Sequence, residues 1–548
     1  MRARAGVLWA LALATAPNAL GGQSLGLNPD RDLPDWMQSW SPLALQGDLP
    51  RRLPSASSAL PLLLLPLPRV GLFWTAGNPA ALPAEVADTY ADFQLALARQ
   101  DGAYRRPLDP GQSMLAQVST LAWGRVGTAG AMIGRVVVDR ETLDPGTQAD
   151  VTDPYATSPF FVTDTFATAQ RRTRARLEGA AGWELGRYAL GGALGYETLD
   201  NATVQGGVAR RSRRVVPALA IGATRSLGAG GVRLGVHARW RGAAETVDLV
   251  ELTALTRVYE VQGSRESSPI DLLRAPYYRR IEESAPSAGV AAGGSWGALQ
   301  WILFGEVARL HQRLWRQQQD NPPLDRWDTR AWTVGGALER PLGARGLLVV
   351  ELRRAALSGD GGLAFDSLAV SFTAVERAFT GSVGLQLLPA AGRWVGLARL
   401  SVVNERRERA DSMAQRRSVL ETLTPGLALE AGGPVSDALF LSVGYARGAY
   451  QAKGEIPLPS AQGPFYQRLI APELDLESGS AAPQALSVAT RWQVRGGAAV
   501  WLSGRWESLA PGNRQLSFGG ISPTGTRTAR SLTCGVTLGA TPAPAAAQ

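Results

Sequence analysis

From about residue 88 onward the chain is built of long stretches in which apolar and polar side chains alternate, and this period of two limits its fold more than any other feature. In the clearest stretch Val232, Leu234, Val236, Ala238 and Trp240 share one face, while Arg233, Gly235, His237, Arg239 and Arg241 share the other. Successive side chains of a strand point to opposite sides, so the segment has one apolar and one strongly polar surface. Its partner, before the turn at Leu227–Gly230, sets Val215, Pro217, Leu219 and Ile221 on one face. Pro217 removes a ladder donor there and predicts a local bend or bulge. A second pair reads alike: Ala175, Leu177, Gly179, Ala181, Trp183 and Leu185 alternate with Arg174, Arg176 and Glu178, and Tyr188, Leu190, Gly192, Leu194 and Tyr196 continue the apolar face after Gly186-Arg187. Tyr188 and Tyr196 end that stripe as two aromatic girdles would. Near the C-terminus Leu486, Val488, Thr490, Trp492 and Val494 alternate with Ser487, Arg491, Gln493 and Arg495.

These segments run about a dozen residues, beyond the ~5–6 of a soluble strand and enough for the ~9–11 of a tilted membrane strand. Short turns fall near residues 127, 186, 228, 297, 343, 391, 434 and 496, and the opposite connections are long and polar, at about 141–172, 243–283, 316–328, 404–418 and 448–483. Eight turns define sixteen strands, and flanking strands near 88–99 and 528–539 raise the number to eighteen. The reading is all-β: a transmembrane antiparallel up-and-down β-barrel of 16–18 strands, with short periplasmic turns, long extracellular loops and periplasmic termini. Segments 246–261 and 365–376 remain open as strands, loop hairpins or neither. A periplasmic propeller would repeat a blade every ~40–50 residues, and no blade motif recurs.

The N-terminus reads as a secretory signal over residues 1–21: Arg2 and Arg4, an apolar run from Val7 to Ala16, and the small-x-small site Ala19-Leu20-Gly21. Residues 22–87 form an N-terminal periplasmic extension or plug, 88–540 the barrel, and 541–548 a tail. No later stretch supplies the ~20 apolar residues of a membrane helix; Ala59–Pro68 is too short and broken by Pro61, Pro66 and Pro68. With 45% hydrophobic and 19% charged residues the chain is too polar for a bundle of membrane helices. Export and strand pattern also argue against nucleic acid as the partner of its +9 net charge.

Chemistry-bearing residues are sparse. The two histidines, His237 and His311, lie apart with no carboxylate at ligand spacing, so neither metal nor cofactor is expected. His311 is read as a rim or loop residue and Cys534 as an apolar wall residue. No P-loop, serine elbow or HExxH motif occurs, and no enzymatic activity is expected. Arg233, His237, Arg239, Arg241 and Arg491 are the lumen-facing candidates, and their charge predicts a preference for anions. Further arginines cluster at the long-loop ends: Arg171, Arg172, Arg174 and Arg176; Arg210, Arg211, Arg213 and Arg214; Arg353 and Arg354; Arg406, Arg407 and Arg409; Arg416 and Arg417. These predict an extracellular crown that meets lipopolysaccharide phosphates.

Asn78-Pro79-Ala80-Ala81-Leu82, preceded by Gly71-Leu72-Phe73-Trp74, resembles the Asn-Pro-Ala segment near the mature N-terminus of several outer-membrane barrel families, the long-chain fatty-acid transporter family among them. That resemblance implies a plug or first-strand role for Asn78, Pro79 and Ala80. The chain length, with Asp153-Pro154-Tyr155 to Asp164-Thr165 ahead of an arginine-rich strand, resembles an uncharacterised outer-membrane barrel family common in Bacteroidetes, over most of residues 70–540. It implies location and fold and carries no substrate. Such barrels often end in an aromatic residue read by the assembly machinery; this chain ends in Ala-rich Thr541–Gln548.

The expected function is a channel or transporter for an unidentified anionic or amphipathic solute. The expected partners are outer-membrane lipid, lipopolysaccharide and the assembly machinery. The alternative is a non-transporting surface scaffold, adhesin or partner subunit.

Overall fold

The computed structural model describes residues 71–539 apart from 74, 87–88, 104–109, 147–160, 165–167, 206–208, 229–230, 252–257, 263–265, 271–276, 317–324, 344–345, 364–371, 388–393, 413–414, 437, 456–474, 477, 495–497 and 515–524. The expected signal segment, most of the expected N-terminal extension and the expected C-terminal tail lie outside the described residues.

The first strands are β1 (Tyr90–Gly102), β2 (Gln112–Val126), β3 (Gly130–Gly146), β4 (Phe161–Asp164), β5 (Thr168–Leu185), β6 (Tyr188–Gln205), β7 (Ala209–Leu227) and β8 (Val232–Glu251). Then come β9 (Val258–Gln262), β10 (Glu266–Ile270), β11 (Tyr277–Trp296), β12 (Leu299–Arg316), β13 (Asp325–Pro341), β14 (Gly346–Leu363) and β15 (Phe372–Leu387). The last are β16 (Val395–Asp411), β17 (Arg416–Ser436), β18 (Leu439–Gly448), β19 (Gln451–Glu455), β20 (Gly479–Gln493), β21 (Ala498–Arg514) and β22 (Arg527–Gly539). β4, β9 and β10 form a separate three-stranded sheet between two long connections. β18 and β19 both pair with β17 and are two halves of one crossing, so the main sheet is a closed antiparallel barrel of 18 strands.

Closure comes from β1, which pairs with β2 on one side and with β22 on the other, Tyr90 opposite Gly539 through Gly102 opposite Arg527. Asp92 reinforces the seam from inside: its carboxylate accepts from Trp501 Nε1 at 3.1 Å and from the Thr537 hydroxyl at 3.2 Å. Tyr90 stacks on Trp123 at 3.9 Å between centroids.

Consecutive strands pair across each of the eight expected short connections, of which those near 391 and 496 lie outside the described residues and that near 434 falls after Ser436; both flanking strands occur. Gly127, Gly186, Gly228, Gly297 and Gly343 take φ of 59–67° in them, a region glycine enters without a Cβ penalty and that tight hairpins need. Several long connections are shorter than the polarity of the sequence suggests. Residues 404–411 and 416–418 belong to β16 and β17, leaving a turn with Gln415 at φ 52°. Their charges alternate with the strand period, so polarity there marks strands standing in water. Pro217 causes no bulge: pairing of β7 with β8 skips Val216 and Pro217 and resumes in the same register, from Val215–Ala244 to Ala218–Arg241.

The barrel is apolar outside. Exposed side chains include Leu190, Leu194, Ile221, Val236, Val290 and Leu303, while Gln94, Gln117, Glu178 and His237 are buried inside. Outward aromatics form two belts: Trp183, Tyr188, Trp296, Trp394 and Trp492 near the short turns, and Tyr196, Trp240, Trp332, Phe379, Tyr445 and Trp506 further along. The eight steps from Tyr188 to Tyr196, at ~3.3 Å each and tilted by ~40°, separate the belts by about 20 Å. That is close to the ~25 Å apolar band of a membrane barrel. The fold is that of an outer-membrane β-barrel.

Leu194 stands between the belts. Leu194→Arg is expected to cost about 2–4 kcal/mol, and Tyr196→Arg at the rim about 1 kcal/mol or less. Urea unfolding in lipid vesicles checks this, and equal costs would misplace the band.

Candidate functional site

The lumen near the short turns is not empty. Residues 71–73 and 75–86 lie inside as a compact turn, a 3-10 turn at Pro79–Ala81 and a helical turn α1 (Leu82–Glu85). Leu72, Phe73, Ala76, Ala81, Leu82 and Val86 join one apolar cluster with wall residues that include Leu121, Trp123, Ile133, Ala220 and Ile302. Glu85 folds back to accept from the Phe73 amide, at 3.2 and 3.1 Å. Removing this apolar surface from water favours the seated state at ~25 cal/mol per Å².

The wall is shaped to receive the segment. Gly182, Gly191 and Gly222 lie directly opposite one another across β5, β6 and β7. A Cβ at Gly191 would collide with Pro79 and Ala80, at Gly182 with Pro79 and Pro83, and at Gly222 with Asn78. Gly235 and Gly293 would meet Leu72 in the same way. Missing side chains thus create a bed in which backbone approaches backbone.

Asn78 fixes the depth of seating. It is fully buried. Its Nδ2 donates to the carbonyls of Ala223 and Val236 at 3.2 and 3.1 Å, and its Oδ1 accepts from the Ala80 amide at 3.0 Å. Arg239 Nη2 donates to the Ala76 carbonyl at 2.6 Å, and Arg125 Nη1 donates to the Pro83 carbonyl.

Above the bed, charges on the inner wall alternate in sign. Arg135 lies 3.5 Å from Glu178, Arg174 2.5 Å from Asp139 and Arg176 2.6 Å from Glu197. Arg214 and Arg241 share Glu283 at 3.1 and 3.4 Å, and Arg239 meets Glu306 at 3.2 Å. His237 is buried against the open face of Gly289, its Nε2 4.0 Å from Glu306. Arg233, nearer the short turns, has no ion pair among the described residues. Arg491, across the barrel, interacts electrostatically with Tyr90 and Asp92. The structure therefore groups Arg239, Arg241, His237 and Asn78 in one neighbourhood and leaves Arg491 at the seam.

Strand parity divides the expected arginine crown between two surfaces. Arg172, Arg174, Arg176, Arg214 and Arg407 turn inward to carboxylates; Arg171, Arg211, Arg213, Arg354, Arg406 and Arg417 turn outward. His311 lies within β12 with its ring outward, not in a loop.

The wall of β14–β16 is different. Arg399 Nη2 donates to Glu351 Oε2 at 2.7 Å and to the Ser382 hydroxyl at 2.8 Å, and Glu351 keeps 45% of its side chain exposed. Arg353 and Thr380, on the same inner face, are exposed. Glu351, Ser382 and Arg399 lie four to five residues from the short-turn ends of their strands, and the bed glycines Gly182, Gly191 and Gly222 lie three to five. Segment and triad thus occupy opposite walls at one height. Sequence reasoning missed the triad, although the parity of Leu348, Val350 and Leu352 already assigns Glu351 to the inner face.

Residues 79–538, from the second residue of the Asn-Pro-Ala motif to the last strand, match a family of unknown function. The chain belongs to the DUF6850 family. No curated protein matches the sequence. Among solved structures, the copper transporter OprC is 11% identical over 83% of this chain and 84% of its own, with a TM-score of 0.40. The ferric citrate transporter FecA is 11% identical over 84% and 79%, also at 0.40. The ferric preacinetobactin receptor BauA from Acinetobacter baumannii is 8% identical over 82% and 80%, at 0.38. At such scores the likeness bears on neither cargo nor mechanism for DUF6850.

Gly191→Leu is expected to lift residues 78–83 off their bed. In a Cys534→Ser background, maleimide labelling of Ala80→Cys should rise at least about tenfold when Gly191→Leu is added; the thiol at that position is otherwise excluded from solvent, where buried groups react slowly. Unchanged labelling would mean that the bed does not hold the segment.

Proposed function

We propose that this protein is an outer-membrane conduit, a channel or transporter, for a small hydrophilic solute. The observation that carries this reading is the uneven lining of the lumen at one height. Residues 71–86 cover the β5–β8 wall, while β14–β16 leave Glu351, Arg353 and Thr380 exposed to water and Arg399 partly so. A barrel of 16–18 strands is wide enough to leave an aqueous path, and a buried scaffold core gives no reason to keep polar side chains wet. Short turns in the periplasm, with the long connections outside, is the orientation that bacterial barrels adopt.

Pairing modifies the expected anion preference. Apart from Arg233, the inward arginines from β3 to β8 sit beside carboxylates, so their fields largely cancel, and charge selection falls mainly to the uncovered triad. A carboxylate or phosphate on the solute would compete with Glu351 for Arg399. The Asn78-Pro79-Ala80 segment acts here as a fixed narrowing of the lumen, with His237, Arg239 and Arg241 supporting it from behind.

Planar-bilayer recording tests the reading. Wild-type protein should conduct. In a salt gradient Arg399→Gln should shift the reversal potential toward cation preference and Glu351→Gln toward anion preference. A folded barrel that stays silent would favour the rival reading, a sealed surface scaffold.

A further inference from the structure

Outward arginines on β12 and β13 are arranged as like-charged rows. Arg309 lies directly opposite Arg330, and Arg313 directly opposite Arg326, with His311 opposite Asp328 between them. Like charges directly opposite on a sheet repel, so two such rows favour an anion; on the same face Glu282 of β11 stands opposite Arg313 but pairs with Arg280, and Asp360 of β14 stands opposite Asp328. The carboxylate between the rows is engaged, because His311 Nδ1 lies 2.7 Å from Asp328 Oδ1. Among the described residues, none of the four guanidinium groups forms an ion pair or a side-chain hydrogen bond. By contrast Arg135, Arg174, Arg176, Arg214, Arg239 and Arg241 inside, and Arg211, Arg406 and Arg417 outside, each reach a carboxylate.

Position narrows the ligand. Arg309 and Arg330 occupy the next outward positions after Val307 and Trp332, which lie in the lipid-facing band and are 62% and 40% exposed. Arg354 adds a cation over the Trp332 ring, 5.9 Å from its centroid. The anion for the first row must therefore sit at the membrane boundary. Four residues separate the rows, about 13 Å along the strand, so one ligand that serves both carries two anionic groups at about that spacing. Guanidinium forks match phosphate bidentately.

We propose that the outward face of β12–β13 binds the phosphorylated headgroup of a lipopolysaccharide, one phosphate between Arg309 and Arg330 and the other between Arg313 and Arg326. The arginines replace the divalent cations that bridge such phosphates elsewhere in the leaflet. The site requires an outer-membrane barrel but no conduction, so bound lipid and channel activity fail independently.

Full-length protein is purified from lipopolysaccharide-containing outer membranes, washed with a chelator, and bound glycolipid is counted by native mass spectrometry. Wild type should keep one glycolipid per barrel. Arg309→Gln/Arg330→Gln/Arg313→Gln/Arg326→Gln should keep at least tenfold less, whereas Arg447→Gln/Arg530→Gln, on distant strands, should match wild type. Heat-shifted electrophoretic mobility confirms that each variant is a closed barrel. Wild type in detergent should also bind bisphosphorylated lipid A at least tenfold more tightly than its dephosphorylated form. Equal retention by the quadruple variant, loss of all glycolipid from wild type, or indifference to the phosphates would each overturn the proposal.

Discussion

Inside hydrocarbon no backbone amide or carbonyl can be left without a partner, and every other feature of this molecule follows from that requirement. A sheet meets it only by closing on itself. Here β1 must find β22 across more than four hundred residues of chain, and the two strands pair along their whole length. Asp92 works from the lumen side of that seam, tying β1 to Trp501 and Thr537. Closure then sets the two chemical worlds of the protein, a lipid-facing exterior and an enclosed polar interior, and period-two alternation sorts side chains between them.

Arginine shows the sorting most clearly. Many inward-facing arginines meet carboxylates, as Arg176 meets Glu197 on the adjacent strand and Arg239 meets Glu306 across β11. A charge held in a confined lumen is costly unless it is paired. Outward arginines beyond the apolar belts are of two kinds: some pair across strands, as Arg211 with Asp200 and Arg406 with Glu421, and others, such as Arg309 and Arg330, have no ion pair among the described residues. Parity assigns each arginine to a face, and strand register decides whether it finds a carboxylate there.

The seated segment illustrates a different economy. Glycine is a poor strand residue, yet Gly182, Gly191 and Gly222 form a row across three strands. Missing side chains would weaken an ordinary sheet. Here the cost is offset by the close approach of Asn78, Pro79 and Ala80, which fill the space. Rigid anchoring by Asn78 and Arg239 also suits a fixed narrowing better than a mobile gate, and leaves the β14–β16 side as the open half.

Alternation, turn glycines and segment length were enough to read the closed barrel, its glycine turns at Gly127, Gly186, Gly228, Gly297 and Gly343 and the positions of β1 and β22, because each of these is local physics: strand period, tight-turn backbone and membrane thickness. The inner face of His237, Arg239 and Arg241 was legible for the same reason. What each inward charge meets was not, since Arg214 and Glu283 lie 69 residues apart and only strand register brings them together. Register likewise decided that Arg309 faces Arg330, that three glycines of separate strands line up beneath Asn78, and that Glu351, Ser382 and Arg399 converge. Periodicity assigns a side chain to a face; only the closed sheet, by fixing how far each strand slides past the next, assigns it a neighbour.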